Sequence, residues 1–127
     1  MKLFTLALAA LAVSAATPTL AEGDAAAGKT VFKKCMACHA ADKDQNKVGP
    51  HLVGIAGRKA AAIEGFAYSD AIKAKGAEGL VWDDANITAY VKAPKEFIAG
   101  NKMAFAGLKK DEDIVNLIAY LKADPKP

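Results

Sequence analysis

The chain has little excess charge, no internal repeat, no low-complexity tract and no apolar run long enough to cross a bilayer comfortably. Each shortage excludes something. Lys and Arg number 17 against 14 Asp and Glu, a formal net charge of +3, whereas a nucleic-acid binder carries a far larger basic imbalance. Without repeats or a Pro/Ser-rich linker, the chain reads as one domain, at the small end for a self-sufficient core. There are only two cysteines, Cys35 and Cys38, and two histidines, His39 and His51. A bridge between cysteines three residues apart would close a tiny loop and stabilise little. These cysteines therefore point to chemistry.

What is present begins with an address. Met1-Lys2 is positively charged, Leu3 to Val13 is apolar apart from Thr5, Pro18 breaks the run, and Thr19-Leu20-Ala21 supplies small residues at cleavage positions. This pattern predicts a secretory signal peptide over residues 1–21, cut after Ala21, with Ala16 the other plausible site. Losing Lys2 would lower the net charge from +3 to +2. Residues 22–127 remain as the folded domain, expected to be soluble in the periplasm.

Cys35-Met36-Ala37-Cys38-His39 is C-x-x-C-H, the haem c attachment motif. Two thiols at this spacing can each form a thioether with one porphyrin, and the next residue places an imidazole under the iron. The competing readings are weaker. A thioredoxin-like site needs a βαβ context. A zinc site of Cys35, Cys38, His39 and His51 would require adjacent Cys38 and His39 on one tetrahedral ion. For the opposite side of the iron the candidates are His51, Met36 and Met103. Met36 lies between the attachment cysteines, and His51 follows Pro50 in a tight turn expected to point to solvent. Met103, in a Gly- and Lys-containing loop, is the preferred distal ligand.

The remaining sequence predicts helices. Asp24 caps a first one with Gly28, Phe32 and Cys35 on one face. Ser69 and Asp83 cap two more, with Gly76 ending the former and Pro94 lying just beyond the latter. The last, from about Asp111 to Lys122, has acids in its first turn, a lysine at its end, and Ile114, Leu117, Ile118 and Leu121 as its apolar stripe. A mid-helix Gly28 suggests close approach by this last helix. The segments from Gly49 to Phe66 and from Pro94 to Leu108 read as long loops, unusual in a small domain unless they wrap something.

Further stretches follow in fixed order: Gly49-Pro50-x-Leu52-x-Gly54-x-x-Gly57-Arg58, Gly65-Phe66-x-Tyr68-Ser69-Asp70-Ala71, Trp82, Tyr90-Val91-x-x-Pro94-Lys95-x-Phe97-Ile98-x-Gly100-x-Lys102-Met103-x-Phe105-x-Gly107, and Leu117-Ile118-x-Tyr120-Leu121. With the attachment motif, they make residues 23–122 resemble the class I cytochromes c, the soluble mitochondrial kind and its bacterial relatives. The resemblance implies an all-α fold, with packed N- and C-terminal helices wrapped around one covalent haem. It implies that the Pro50 carbonyl bonds the free ring nitrogen of His39, and that Arg58, Tyr68 and Trp82 hold a haem propionate. Tyr90 would lie near the Met103 sulfur and Phe105 would cover the haem edge. Asn101 stands where the family commonly has a propionate-binding threonine, and can still donate. Ala99 and Phe97 replace a frequent proline and tyrosine.

These expectations define a one-electron carrier, not an enzyme. The alternative, a peroxidase-type haem enzyme or a gas sensor, needs an open iron position and acid–base groups over it. Lys92, Lys95, Lys102, Lys109 and Lys110 crowd one segment against a single acid, Glu96. By resemblance Lys34 and Lys47 join them around the exposed haem edge. That ring suits acidic redox partners: a cytochrome bc-type complex as donor, and an oxidase, a photosynthetic reaction centre or a reductase as acceptor. A monomer is expected.

Overall fold

The computed structural model describes residues 10–12 and 23–127; the signal peptide expected over 1–21 lies almost entirely outside the described residues. Among the described residues, five helices follow in order: α1 (Ala25–Phe32), α2 (Asp70–Ala77), α3 (Asp84–Lys92), α4 (Pro94–Phe97) and α5 (Asp111–Lys122). Among the described residues there is no strand, only an isolated bridge between Lys59 and Val81. None of these helices is long and apolar enough to cross a membrane.

The helix starts follow from their caps. Asp24 accepts from the N–H groups of Ala26 and Ala27, Ser69 from Ile72 and Asp83 from Asn86, satisfying N–H groups that the first turn leaves unpaired. Two predicted details change. Helix α2 does not end at Gly76 but runs through it to Ala77, because buried Gly76 lets the helix lie against the Ala60 carbonyl. The turn comes at Gly79, with φ +91°, a backbone region that a side chain disfavours. The Pro94–Leu108 stretch is not wholly loop, since Pro94 opens the short α4 as its first residue, where its missing N–H is no loss.

Helices α1 and α5 cross in contact. A Cβ on Gly28 would overlap the Asn116 carbonyl of α5, so the expected close approach is present. Phe32 stacks obliquely on Tyr120 with ring centroids 5.3 Å apart, and the Asp24 N–H donates to Asn116 Oδ1 at 2.9 Å. The predicted stripe Ile114, Leu117, Ile118 and Leu121 is buried, with Tyr120 beside it. Each such side chain contributes about 1.5–3 kcal/mol relative to exposure. Helix α3 packs against α4 and α5. Lys92 pairs with Asp111 at 3.2 Å and Lys122 with Asp84 at 2.7 Å, so each end of α3 is joined to α5 by opposite charges.

The long segment before α2 is secured by its backbone. Gly57 N–H donates to the Trp82 carbonyl, Trp82 N–H to Arg58 O, and Ala60 N–H to Leu80 O. This pairing leaves a cleft between the loops and the helices. The core is built around that cleft.

Candidate functional site

The chain passes from α1 into tight turns that carry the attachment motif. Cys35 N–H donates to Phe32 O at 2.8 Å, and Cys38 and His39 N–H groups both reach Cys35 O, at 3.1 and 2.9 Å. These bonds continue a helical course, on which residues three apart share a face. Cys35 and Cys38 are unbonded to each other and both line one cavity. Burial and the neighbouring Cys38 push the Cys35 thiol up, partly offset by Lys34.

His39 lines the same cavity. Its Nδ1 lies 2.7 Å from the Pro50 carbonyl. A carbonyl oxygen only accepts, so Nδ1 carries the proton and Nε2 keeps its lone pair. Burial lowers the ring's proton affinity, with Lys47 and Arg58 acting in the same direction against the Pro50 bond. A neutral imidazole with a fixed tautomer is a metal-ligand state.

The cavity has a volume of about 480 Å³, within the range of small-molecule and cofactor sites. Met103, Tyr90 and Phe105 line it together with His39, as do Arg58, Tyr68 and Trp82. Met36 does not line it and is 52 % exposed. His51 is also absent from its wall, but the expectation that it faces solvent is wrong. Its side chain is only 14 % exposed. The loop folds it inward because its N–H donates to Asn46 Oδ1 and both Arg58 Nη atoms donate to its carbonyl.

Arg58 retains one buried Nε without a protein partner; burial lowers its affinity for its proton, yet a guanidinium stays charged. Tyr68 accepts from the Ile63 N–H at 3.0 Å, leaving its own hydroxyl hydrogen free to donate. Trp82 packs on Tyr90 with centroids 5.0 Å apart. Burial pushes the Tyr90 phenol up to about 12. Asn101 departs from expectation. It is not on the cavity wall, and both hydrogens of its amide are committed, to Pro94 O and Ile98 O. It has none left for a propionate.

The residues fit a haem c. Two free thiols and a neutral imidazole stand on one apolar cavity, a thioether joins them on its wall, and an orphaned guanidinium N–H suits an acid group. Gly49 belongs to this fit, since a Cβ there would overlap the His39 ring. The zinc reading finds no support in the geometry: among the described residues, no three His, Cys, Asp or Glu side chains gather at one point.

A helical wrap around such a cavity defines a haem-c-bearing electron-transfer protein. Comparison with known proteins gives the family. Residues 25–123 match the family model described as Cytochrome c. The chain is 50 % identical to cytochrome c2 of Agrobacterium tumefaciens over 109 residues, covering 84 % of this chain and 98 % of that one. It is 49 % identical to cytochrome c-550 of Nitrobacter winogradskyi over 100 residues, covering 78 % and 89 %. The solved structure of cytochrome cH from Methylobacterium extorquens superposes with a TM-score of 0.71 at 44 % identity, covering 79 % of this chain and 98 % of that one. The chain belongs to the cytochrome c family. It is a one-electron carrier whose haem c is bound covalently through Cys35 and Cys38.

Proposed function

We propose that this carrier uses His39 and Met103 as its two axial ligands and docks through the lysines around its cavity mouth, in the periplasm after removal of the leader. The observation that carries the ligand assignment is that His39 and Met103 line one cavity, while Met36 and His51 do not. When bound, haem c supplies a one-electron ferric/ferrous couple. The protein's part is to fix the ligands and control the surroundings. The Pro50 carbonyl orients His39, and the Met103 thioether favours the reduced metal and raises the potential relative to a second histidine. Arg58, Tyr68 and Trp82 would hold and partly neutralise a propionate, while Phe105 would cover the edge and Tyr90 would stand beside the thioether. If His39 and Met103 both ligate the iron, the acid–base chemistry of a haem enzyme would have no open site.

Docking rests on charge placement. Lys34 and Lys102 are exposed and also line the cavity, beside Val48, which is 79 % exposed. Lys47, Lys95, Lys109 and Lys110 are exposed as well. An apolar spot rimmed by lysines suits an acidic partner surface, where charge sets orientation and on-rate. The partner pair that best fits is a cytochrome bc-type complex as donor and an oxidase, reaction centre or reductase as acceptor.

Met103→Ala should lower the reduction potential by on the order of 0.1 V, well inside the range of about 0.8 V that axial ligands span. It should also open the ferrous protein to carbon monoxide. Met36→Leu should do neither. Potentiometric titration and carbon monoxide difference spectra check both, and the opposite pattern would reassign the ligand.

A further inference from the structure

Met103 sits in a segment with little backbone support. From Ile98 to Gly107 there is no helix, and within this stretch the backbone makes only two internal hydrogen bonds, Asn101 N–H to Ile98 O at 3.3 Å and Phe105 N–H to Met103 O at 3.0 Å. The side chain of Asn101 supplies three more. Its Nδ2 donates to Pro94 O and Ile98 O, each at 2.8 Å, and its Oδ1 accepts the Met103 N–H at 2.8 Å. The amide orientation follows from the partners. Turned over, Oδ1 would face two carbonyls and the NH₂ group would face an N–H.

The anchors are buried. Pro94 and Ile98 are among the largest fully buried side chains in the molecule, both under 2 % exposed. The amide therefore links the backbone of Met103 directly to the core. We propose that Asn101 is the positioning residue for the distal ligand: its clamp holds Met103 on the cavity wall and sets how well the thioether resists displacement by an outside ligand. This rests on the reading of Met103 as that ligand.

The physics is a population argument. An outside ligand reaches the metal only when the segment opens, so its apparent affinity scales with the open fraction. Removing the amide leaves two buried carbonyls and the Met103 N–H without this partner, which favours the open form. An increase of about tenfold in the open fraction, equivalent to about 1.4 kcal/mol, is expected.

The test is a spectrophotometric titration of the ferric holo-protein with imidazole, together with the thermal unfolding midpoint. Asn101→Ala should bind imidazole about tenfold more tightly than the wild type. Asn101→Ser, which keeps a short acceptor for the Met103 N–H, should fall between, and carries the test if the alanine variant fails to assemble. Ile114→Val, in the buried core and off the cavity wall, should lower the midpoint and leave imidazole affinity unchanged. Wild-type affinity in both Asn101 variants overturns the proposal, even if their midpoints fall. So does an equal gain in Ile114→Val, since affinity would then track global stability alone. Met103→Ala separates the two levels. If it binds imidazole tightly and the Asn101 variants do not, the clamp is wrong and the ligand right. If it matches the wild type, the ligand assignment itself fails.

Discussion

At His39 a single backbone carbonyl decides which ring nitrogen is free, and burial decides that the ring is neutral. Tyr90 shows the same dependence on surroundings in a form that pH can read. Burial raises its phenol from an ordinary 10.0 to about 12, so the fold prefers the neutral form while the unfolded chain ionises earlier. Its contribution to stability is fully present below pH 10 and is lost as pH rises through the interval to about 12. Denaturation curves of Tyr90→Phe should therefore lack part of the alkaline loss shown by the wild type across that interval. Parallel curves would mean that the phenol does not feel its burial. At this scale, legibility depended on how local the determinant is. The covalent role of Cys35 and Cys38 follows from spacing alone. His51 and Asn101 were misjudged because their positions depend on partners brought in by loop closure, Arg58 for one and the Pro94 and Ile98 carbonyls for the other.

The helices were legible wherever a cap and an apolar stripe agreed. Asp24, Ser69 and Asp83 each begin the helix they announce, and the buried stripe of α5 matches its sequence period. Gly76 misled because a glycine can end a helix or make room beside one, and the sequence does not tell which without the Ala60 carbonyl it faces. Gly28 has only the second role, and it makes a sharp prediction. On propensity alone Gly28→Ala should stabilise α1 by about 1 kcal/mol. A Cβ there overlaps the Asn116 carbonyl and crowds Tyr120, and overpacking of this kind costs about 1–3 kcal/mol. Crowding by rigid backbone outweighs propensity, so the variant should be less stable in urea, with a lower midpoint. A higher midpoint would mean that α1 and α5 are not pressed together as described.

For the whole molecule, the long segments between helices make sense as walls. They enclose the cavity of about 480 Å³, and the core of the protein is complete only around what that cavity holds. Because the resemblance to class I cytochromes c extends along nearly the whole folded part, this arrangement was readable from motif order, whereas periodicity alone showed only that helices alternate with long loops. The charge distribution is the other molecular property. A net charge of only +3 steers a partner weakly, so the proposed docking requires exposed lysines such as Lys34 and Lys102, both on the cavity wall, to give the molecule a direction. Lys73 and Lys75 offer the contrast, since the resemblance places both away from the exposed haem edge and Lys75 is paired with Glu78 at 3.3 Å.

The most direct measurement is stopped-flow oxidation of the reduced holo-protein by its acidic partner as a function of salt. The Debye length shortens from about 10 Å at 0.1 M to about 3 Å at 1 M, so steering should fade across that range. The bimolecular rate should fall as salt rises, and charge reversal at Lys95 or Lys102 should slow it more than reversal at Lys73 or Lys75. A rate indifferent to salt, or equal slowing by all four reversals, would contradict a carrier that docks through the lysines at its cavity mouth.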